Sequence, residues 1–203
     1  MLRDGKSITA SAQQSEKFDV IIVGAGISGI GSATFLRKHC PHLSFAILEA
    51  LEGHGGTWLI HKYPGTRSDS DLFTFGYGFK PWMGKPIATA AEIQQYLGEV
   101  VDDNGLATHI RYGHVVNTAE WSGEGQRWTI TATHGGEIQR FKTRFLWMCQ
   151  GYYRHAEGYM PRWPGMASFG GRIVHPQTWP DDLDLRGKKV VVIGSGATAA
   201  TLI

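Results

Sequence analysis

The stretch that decides the fold is FDVIIVGAGISGIGSATFLRKH, residues 18–39. FDVIIV is an apolar, β-branched run, which is the pattern of a parallel strand covered on both faces. GAGISG follows, and IGSATFLRKH then predicts a helix that Pro41 ends. SFAILE, residues 44–49, predicts a second buried strand. Strand, glycine-rich turn, helix and strand in this order form a βαβ unit.

The glycine turn has the spacing Gly24-x-Gly26-x-x-Gly29. The first glycine permits a tight turn, the second lets backbone approach a pyrophosphate, and the third packs the helix on the strand. The helix N-terminus offers N–H groups and positive potential to phosphates, and Ser28 adds a hydroxyl. Glu49, about 20 residues further on, ends the second strand where a carboxylate accepts from a ribose hydroxyl. The context predicts a dinucleotide site; the alternative is a glycine-rich turn without a ligand.

Residues 188–203, KKVVVIGSGATAATLI, repeat this opening as a buried strand, a GxGxxA turn and the start of a helix. The candidate binding residues of this turn are Gly194, Ser195, Gly196, Ala197, Thr198 and Ala199. Two nucleotide-binding units on one chain imply two nucleotides, and hence hydride transfer from a nicotinamide to a flavin.

The chain between the two glycine turns contains several different segments. Residues 50–88 are rich in Gly, Pro and aromatics, and a connection this long is usually functional. A helix follows from a capping box at Thr89 and Glu92 to Asn104-Gly105, with one apolar stripe. Alternation with glycine turns after it predicts a small antiparallel meander, and residues 145–151 predict a return to the parallel sheet. The fold class is therefore α/β: a Rossmann-like unit with a small antiparallel β meander, followed by the start of a second Rossmann unit.

The composition excludes several classes of protein. The 203 residues are 42% hydrophobic and 19% charged, as in globular proteins, and 20 Lys+Arg balance 18 Asp+Glu. No nucleic-acid or membrane-surface footprint, no membrane span and no metal site is predicted. Cys40 and Cys149 are far apart, which favours reduced thiols in a cytoplasmic protein and disfavours a disulfide reductase. Residues 1–17 lack the apolar core of a signal peptide and are predicted to be a disordered leader.

Residues 55–69, GGTWLIHKYPGTRSD, resemble the GGxWxxxxYPGxxxD signature of type I Baeyer–Villiger flavoprotein monooxygenases, with every fixed position matched. The resemblance implies that the first nucleotide is FAD and that Gly56, Thr57 and Trp58 contact the flavin. It also implies that Asp69 contacts the flavin and supports a catalytic arginine. From the residues alone, Trp58 could equally be a core aromatic and Asp69 a helix N-cap ahead of DLFTF, with Asp71 as that cap or a solvated neighbour.

Residues 169–180, FGGRIVHPQTWP, resemble the FxGxxxHxxxW[P/D] fingerprint of the same family. The resemblance implies a connector that couples flavin reduction to oxygenation, with His175 required for catalysis. The alternative for His175 is a hydrogen-bonded structural histidine. Related flavin-containing monooxygenases that oxidise amines and sulfides carry Phe or Tyr where this chain has Trp179, which favours the Baeyer–Villiger type.

Within that family the chain looks most like the ethionamide-activating monooxygenases. This resemblance implies that the backbone of Val116 meets the flavin adenine, that Arg67, Ser68 and Asp69 lie near the nicotinamide nucleotide, and that the turn 194–200 binds its pyrophosphate. The implied activity uses NADPH, FAD and molecular oxygen. Its substrate is a small ketone, converted to an ester or lactone, or a sulfide, converted to a sulfoxide.

The predicted domains are the leader 1–17, an FAD-binding domain 18–155, a connector 156–186 and the start of an NADP-binding domain 187–203. A βαβ unit needs about 30 residues or more, and the last segment is much shorter. We therefore expect the chain to be an incomplete fragment, with the oxygen-activating arginine of the family beyond Ile203. The alternatives are a flavin-containing N- or S-monooxygenase and a non-catalytic FAD-binding remnant.

Overall fold

A computed structural model describes residues 15–155 and 157–203. The predicted leader lies outside these residues up to position 14, and its last two residues belong to the sheet because the first strand begins at Glu16. The strands are β1 (Glu16–Val23), β2 (Phe45–Leu48), β3 (Ile110–Arg111), β4 (Val115–Ser122), β5 (Arg127–His134) and β6 (Glu137–Met148). The α-helices are α1 (Ile27–His39), α2 (Thr57–Ile60), α3 (Leu72–Phe75), α4 (Ala90–Asp103) and α5 (Ala197–Leu202).

The six strands form one mixed sheet in the order β3-β2-β1-β6-β5-β4. β1 pairs in parallel with both β2 and β6, and β3 continues the parallel part beside β2. All four residues of β2 are buried, as expected of a strand covered on both faces. The predicted βαβ unit is confirmed, with the first glycine turn at the carboxyl end of β1.

Helices α1 and α4 cover one face of this sheet. α1 ends before Pro41 with three basic residues in its last turn, where positive side chains interact favourably with the helix dipole. The predicted capping box of Thr89 and Glu92 is present at the start of α4. The predicted apolar stripe of α4 is buried in the core beneath it: Ile93, Tyr96, Leu97, Val100 and Val101.

The antiparallel meander is also confirmed, but its last strand differs from the prediction. β4 pairs with β5 and β5 with β6, all antiparallel. The return to the parallel sheet is made by the same β6, which pairs with β5 over 137–143 and with β1 over 141–148. One 12-residue strand therefore replaces the two segments that the sequence suggested.

The buried strand predicted within residues 188–193 is wrong. These residues form no strand, and the side chains of Val190, Val191 and Ile193 are 53%, 83% and 71% exposed. An apolar run becomes a strand only when a neighbouring strand takes up its backbone hydrogen bonds, and the sheet formed by the described residues consists of β1 to β6 alone. The following helix, α5, does form, as predicted.

Residues 157–186 of the connector form irregular chain with two short 3-10 turns, Met166–Ser168 and Pro176–Thr178. Phe169 packs its ring over Gly171, where a Cβ atom would lie 2.6 Å from Phe169 Cε1. Within the described part of the chain, the helices are too short or too polar for any of them to cross a bilayer.

Candidate functional site

The first glycine turn leaves no room for side chains at two of its three glycines. Gly24 has φ +101°, and a Cβ atom there would lie 2.5 Å from the carbonyl oxygen of Cys149. A Cβ atom at Gly29 would overlap the carbonyl oxygen of Gly24. At Gly26, by contrast, the nearest atom to such a Cβ is Gly56 Cα at 3.9 Å. The roles predicted for the first and third glycines, tight turn and close packing, are those that the geometry requires.

Glu49 lies directly against this turn. Its side chain is buried, Oε2 accepts a hydrogen bond of 2.6 Å from the amide of Ala25, and Oε1 accepts one of 2.9 Å from the amide of Leu51. Both bonds fix the carboxylate at the end of β2. Each carboxylate oxygen can accept more than one hydrogen bond, so the position predicted to bind a ribose keeps accepting capacity.

A second pair of glycines faces the first turn. The amide of Gly55 donates to the carbonyl of Ala25 at 2.9 Å, and Gly55 and Gly56 both have positive φ, +116° and +56°. The two loops thus meet backbone to backbone, with Gly26 opposite Gly56. The first turn of α1 carries neither a side-chain cap nor an acidic residue, so its N–H groups suit an anion. The residues present therefore fit a dinucleotide with its pyrophosphate at this turn.

A cavity of about 730 Å³ lies beyond the second glycine pair. Five predicted site residues from the first unit line it: Thr57, Trp58, Arg67, Ser68 and Asp69. Two residues of the second glycine turn, Ala197 and Thr198, line the same cavity. The structure therefore brings predicted site residues of the segment 57–69 and of the second glycine turn together at one space, although they lie far apart in the sequence.

Trp58 is part of the cavity wall and of the core at once. It is half-buried, packs against the core under α1 and α4, and meets Phe75 edge to face with ring centroids 6.0 Å apart. Thr57 precedes it as the first residue of α2. Trp58 therefore has the core packing of its alternative interpretation and also lines the cavity, and its contact with a flavin stays a prediction.

The segment 67–69 is anchored by its middle residue. Ser68 is 3% exposed; its amide donates to the carbonyl of Ala88 and its hydroxyl accepts from the amide of Ala88. This leaves Arg67 and Asp69, both exposed, as opposite charges on the cavity wall. The helix cap suggested as an alternative for Asp69 is provided by Asp71, whose Oδ1 accepts from the amide of Thr74 at 2.9 Å.

Val116 and His175 lie outside the cavity. Val116 is half-buried against the core on the opposite face of the sheet, next to an irregularity in the pairing of β4 with β5. His175 Nδ1 accepts from the amide of Gln177 at 3.2 Å. Its ring packs so closely on Gly158 that a side chain there would overlap it. His175 is therefore hydrogen-bonded, as its alternative interpretation holds, and the catalytic role that the resemblance implies stays a prediction.

The second glycine turn is more exposed than the first. Gly194, Ser195 and Gly196 are exposed, and Gly194 has φ +147°. Ala199 is 8% exposed, and Thr198 Oγ1 lies 3.4 Å from the hydroxyl of Tyr63. The turn therefore reaches the cavity with its helical residues and presents its glycines to solvent.

Several cavity residues were missed by the sequence. They are His61, Tyr63, Thr66, Lys85, Ile87, Thr89, Glu92, Tyr153 and Thr201. His61 stacks edge to face on Tyr153 with centroids 5.2 Å apart, and burial, together with the imidazoles of His155 and His175, lowers the pKa of His61. Tyr63 occupies a fixed position of the signature at 55–69 and could have been found there; Tyr153 carries no comparable signal.

Comparison with known proteins shows which family the chain belongs to. Residues 85–203 match the family described as "Flavin-binding monooxygenase-like", and residues 22–95 match the "NAD(P)-binding Rossmann-like domain". The chain is 53% identical over 190 residues to the FAD-containing monooxygenase EthA of Mycolicibacterium smegmatis, covering 93% of this chain and 39% of that protein. The chain thus spans about two-fifths of the length of that curated relative.

Solved structures of similar fold include two monooxygenases. A steroid monooxygenase bound to NADP superposes with a TM-score of 0.79 at 34% identity, over 92% of this chain and 36% of that one. A cyclohexanone monooxygenase with bound ε-caprolactone gives a TM-score of 0.80 at 29% identity, over 93% and 37%. These similarities confirm the predicted α/β fold class and the predicted resemblance to Baeyer–Villiger monooxygenases. The chain belongs to the flavin-binding monooxygenase-like family.

Proposed function

We propose that this chain serves an FAD- and NADPH-dependent monooxygenase that inserts one oxygen atom from O2 into small ketones, giving esters or lactones, with sulfides as a second substrate class. The observation that carries the proposal is the cavity lined by both Trp58 of the first unit and Thr198 of the second. Hydride transfer needs the nicotinamide beside the flavin, and a cavity bordered by both units provides the space. The FAD-containing relative and the NADP-bound and caprolactone-bound structures support the choice of cofactors and substrate class.

FAD would lie along the first glycine turn and end in the cavity. Backbone N–H groups of the turn and the hydroxyl of Ser28 would bind the pyrophosphate, Glu49 would accept from a ribose hydroxyl, and the backbone of Val116 would meet the adenine. Gly56, Thr57 and Trp58 would border the flavin ring. When bound, FAD would accept the hydride and would activate dioxygen.

The protein's own contribution in the cavity is to orient and to exclude water. Ser68 fixes the loop, so that Arg67 can offer its guanidinium to the anionic or amide groups of a nicotinamide nucleotide. Asp69 can accept a hydrogen bond from an amide or from a guanidinium. Trp58 and Tyr153 supply apolar walls, which strengthen these polar interactions.

The nicotinamide nucleotide would bind where α5 begins. In this proposal Gly194, Ser195, Gly196, Ala197, Thr198 and Ala199 approach its pyrophosphate. Residues 18–155 would form the FAD-binding part, residues 187–203 part of the NADPH site, and the connector with His175 would couple the two.

The first test is the visible spectrum of the purified chain after incubation with FAD and removal of the free flavin, recorded before and after anaerobic addition of NADPH. A yellow protein that bleaches supports both nucleotide sites. A colourless protein contradicts the FAD site, and a yellow protein that stays yellow contradicts the NADPH site. Free FAD with NADPH is the control for reduction without protein.

Product analysis then separates the reaction classes. Formation of a lactone from cyclohexanone supports the Baeyer–Villiger assignment. Oxidation of an amine or sulfide alone supports a flavin-containing N- or S-monooxygenase, and a flavin-loaded chain that neither forms product nor is reduced by NADPH supports a remnant that only binds FAD.

A further inference from the structure

The loop Tyr63-Pro64-Gly65 contacts helix α5 at two points. The hydroxyl oxygens of Tyr63 and Thr198 are 3.4 Å apart, a long hydrogen bond between residues that are 135 positions apart in the sequence. A Cβ atom at Gly65 would lie 3.0 Å from Thr201 Cγ2 and 3.4 Å from the carbonyl oxygen of Thr201. The absence of a side chain at Gly65 therefore lets α5 approach this loop closely.

A third contact connects the same region to the beginning of the connector. His61 stacks on Tyr153, and Gln177 donates from Nε2 to the carbonyls of Arg154 at 2.8 Å and His155 at 3.2 Å. The chain that leads from the first unit to α5 is thus held at its start by His61 and at its end by Tyr63 and Gly65.

The residues that precede α5 are exposed, whereas α5 itself meets the loop 63–65. Val190, Val191 and Ile193 are exposed, Ala199 is 8% exposed, and Thr198 and Thr201 line the cavity. Thr198 and Thr201, three positions apart in α5, are the residues that contact Tyr63 and approach Gly65. These contacts therefore help to set the position of the second glycine turn relative to the cavity.

We propose that Tyr63 and Gly65 are positioning residues that set how far the second glycine turn stands from the cavity. This inference rests on the proposed function in one respect, that the turn binds the nicotinamide nucleotide. Reacting atoms displaced by about 1 Å can lose about 100-fold in rate. Contacts that fix α5 against the flavin-side loop would therefore act on nucleotide binding and reduction by setting the position of the second glycine turn.

The first arm of the test needs no cofactor. Rapid hydrogen exchange is measured at the amides of Ala200 and Ile203, which donate to Gly196 and Ala199 within α5, in the wild type, Tyr63→Phe, Thr198→Val and the double variant. We expect each single variant to exchange about threefold faster or more, as loss of one hydrogen bond allows, and the double variant to be no faster than the singles. Unchanged exchange, or effects that multiply in the double variant, would overturn the inference.

A matched control is Tyr159→Phe, which makes the same chemical change at a tyrosine that is 84% exposed. It should leave exchange in α5 unchanged. Equal acceleration in this control would show that the effect of Tyr63→Phe is not specific to its contact.

The second arm uses the FAD-loaded chain and titration with NADP+. We expect Tyr63→Phe to raise the Kd for NADP+ about threefold or more while FAD affinity and the thermal unfolding midpoint stay unchanged. Gly65→Ala should weaken NADP+ further, and Thr201→Ser, which removes the methyl group that the new Cβ would meet, should restore part of the loss. Equal weakening of FAD and NADP+ would indicate general damage and overturn the positioning role. If the wild type takes up no FAD, the proposed function fails and the hydrogen-exchange arm still decides this inference.

Discussion

Glu49 Oε2 accepts a hydrogen bond of 2.6 Å from the backbone amide of Ala25, which lies between the first two glycines of the turn. Ala25 is 0% exposed and Glu49 6%, so this bond is formed away from water. The residue predicted to bind the ribose thus also stabilises the turn that would bind the pyrophosphate. Structure and binding cannot be separated at Glu49, and its substitutions should affect both.

Glu49→Gln should lower both stability and FAD affinity. The new carboxamide presents an NH2 group to one of the two amides that the carboxylate now satisfies, and a buried N–H without an acceptor costs about 1–3 kcal/mol. We expect the free energy of unfolding to fall by about that amount and the Kd for FAD to rise about tenfold or more. Urea unfolding and flavin fluorescence titration measure the two effects. Glu120→Gln, at an exposed site on β4, is the control, and equal behaviour of the two variants would contradict the prediction.

Two glycine-to-alanine substitutions should change the thermal stability in opposite directions. At Gly29 the new methyl group would overlap the carbonyl oxygen of Gly24, and forced packing of this kind costs about 1–3 kcal/mol. At Gly98, within α4, the nearest atom is His54 Nε2 at 3.6 Å, and alanine in a helix is favoured over glycine by about 0.5–1 kcal/mol. Thermal unfolding should show Gly29→Ala below and Gly98→Ala above the wild type. A neutral Gly29→Ala would mean that the turn can relax.

Substitutions of Asp69 and Asp71 should have different effects, one on flavin reduction and the other on the free energy of unfolding. Asp71 caps α3, so Asp71→Ala should cost about 1 kcal/mol in unfolding free energy and leave NADPH-driven bleaching of the flavin intact. Asp69→Ala should leave stability unchanged and slow that bleaching, because Asp69 lines the cavity. The measurements are urea unfolding and anaerobic stopped-flow absorbance. The opposite assignment of the two effects would return Asp69 to a purely structural role.

Asp19 should contribute stability that disappears in acid. The amide and hydroxyl of Ser44 donate to Asp19 Oδ2 at 2.9 and 2.7 Å, and these bonds hold the pKa of Asp19 below its ordinary value. A carboxylate with a lowered folded pKa stabilises the fold above its unfolded pKa, and the effect is lost as pH falls through the folded pKa. The wild type should therefore exceed Asp19→Asn in stability at pH 7, and the difference should shrink by pH 3.

Ser44→Ala is the partner control for Asp19. Because it removes one of the donors that lower the pKa of Asp19, it should also reduce the stability difference between pH 7 and pH 3. Urea midpoints at the two pH values measure the effect. A gap between wild type and Asp19→Asn that is equal at both pH values would show that the Ser44 bonds do not depend on the charge.

The sequence predicted well wherever the determining interactions are local. The βαβ unit follows from hydrophobic period and glycine spacing, and the capping box of α4 follows from residues three positions apart. The strand predicted for residues 188–193 is wrong because strand formation depends on neighbouring strands, which no local sequence pattern indicates. The continuity of β6 was missed for a related reason: the change of partner from β5 to β1 occurs within an uninterrupted strand.

In the candidate site, too, the residues placed by local spacing could be predicted and those placed by long-range contacts could not. The first glycine turn and Glu49 could be located from spacing alone, because the βαβ unit fixes their relative positions. The contact of Tyr63 with Thr198 joins positions 135 apart, and nothing in either segment indicates the other. The residues that the sequence missed lie mainly where one part of the chain folds over another.

β6 belongs to the antiparallel and the parallel half of the sheet at once. Directly after it, the amide of Cys149 donates to the carbonyl of Val23 at 2.8 Å, and the carbonyl of Cys149 packs against Gly24. The meander therefore cannot unfold as a separate cooperative unit without releasing the backbone that shapes the pyrophosphate turn. Since Val116 lies on that meander, we expect the two ends of the proposed FAD site to unfold together and a ligand that binds at either end to protect both.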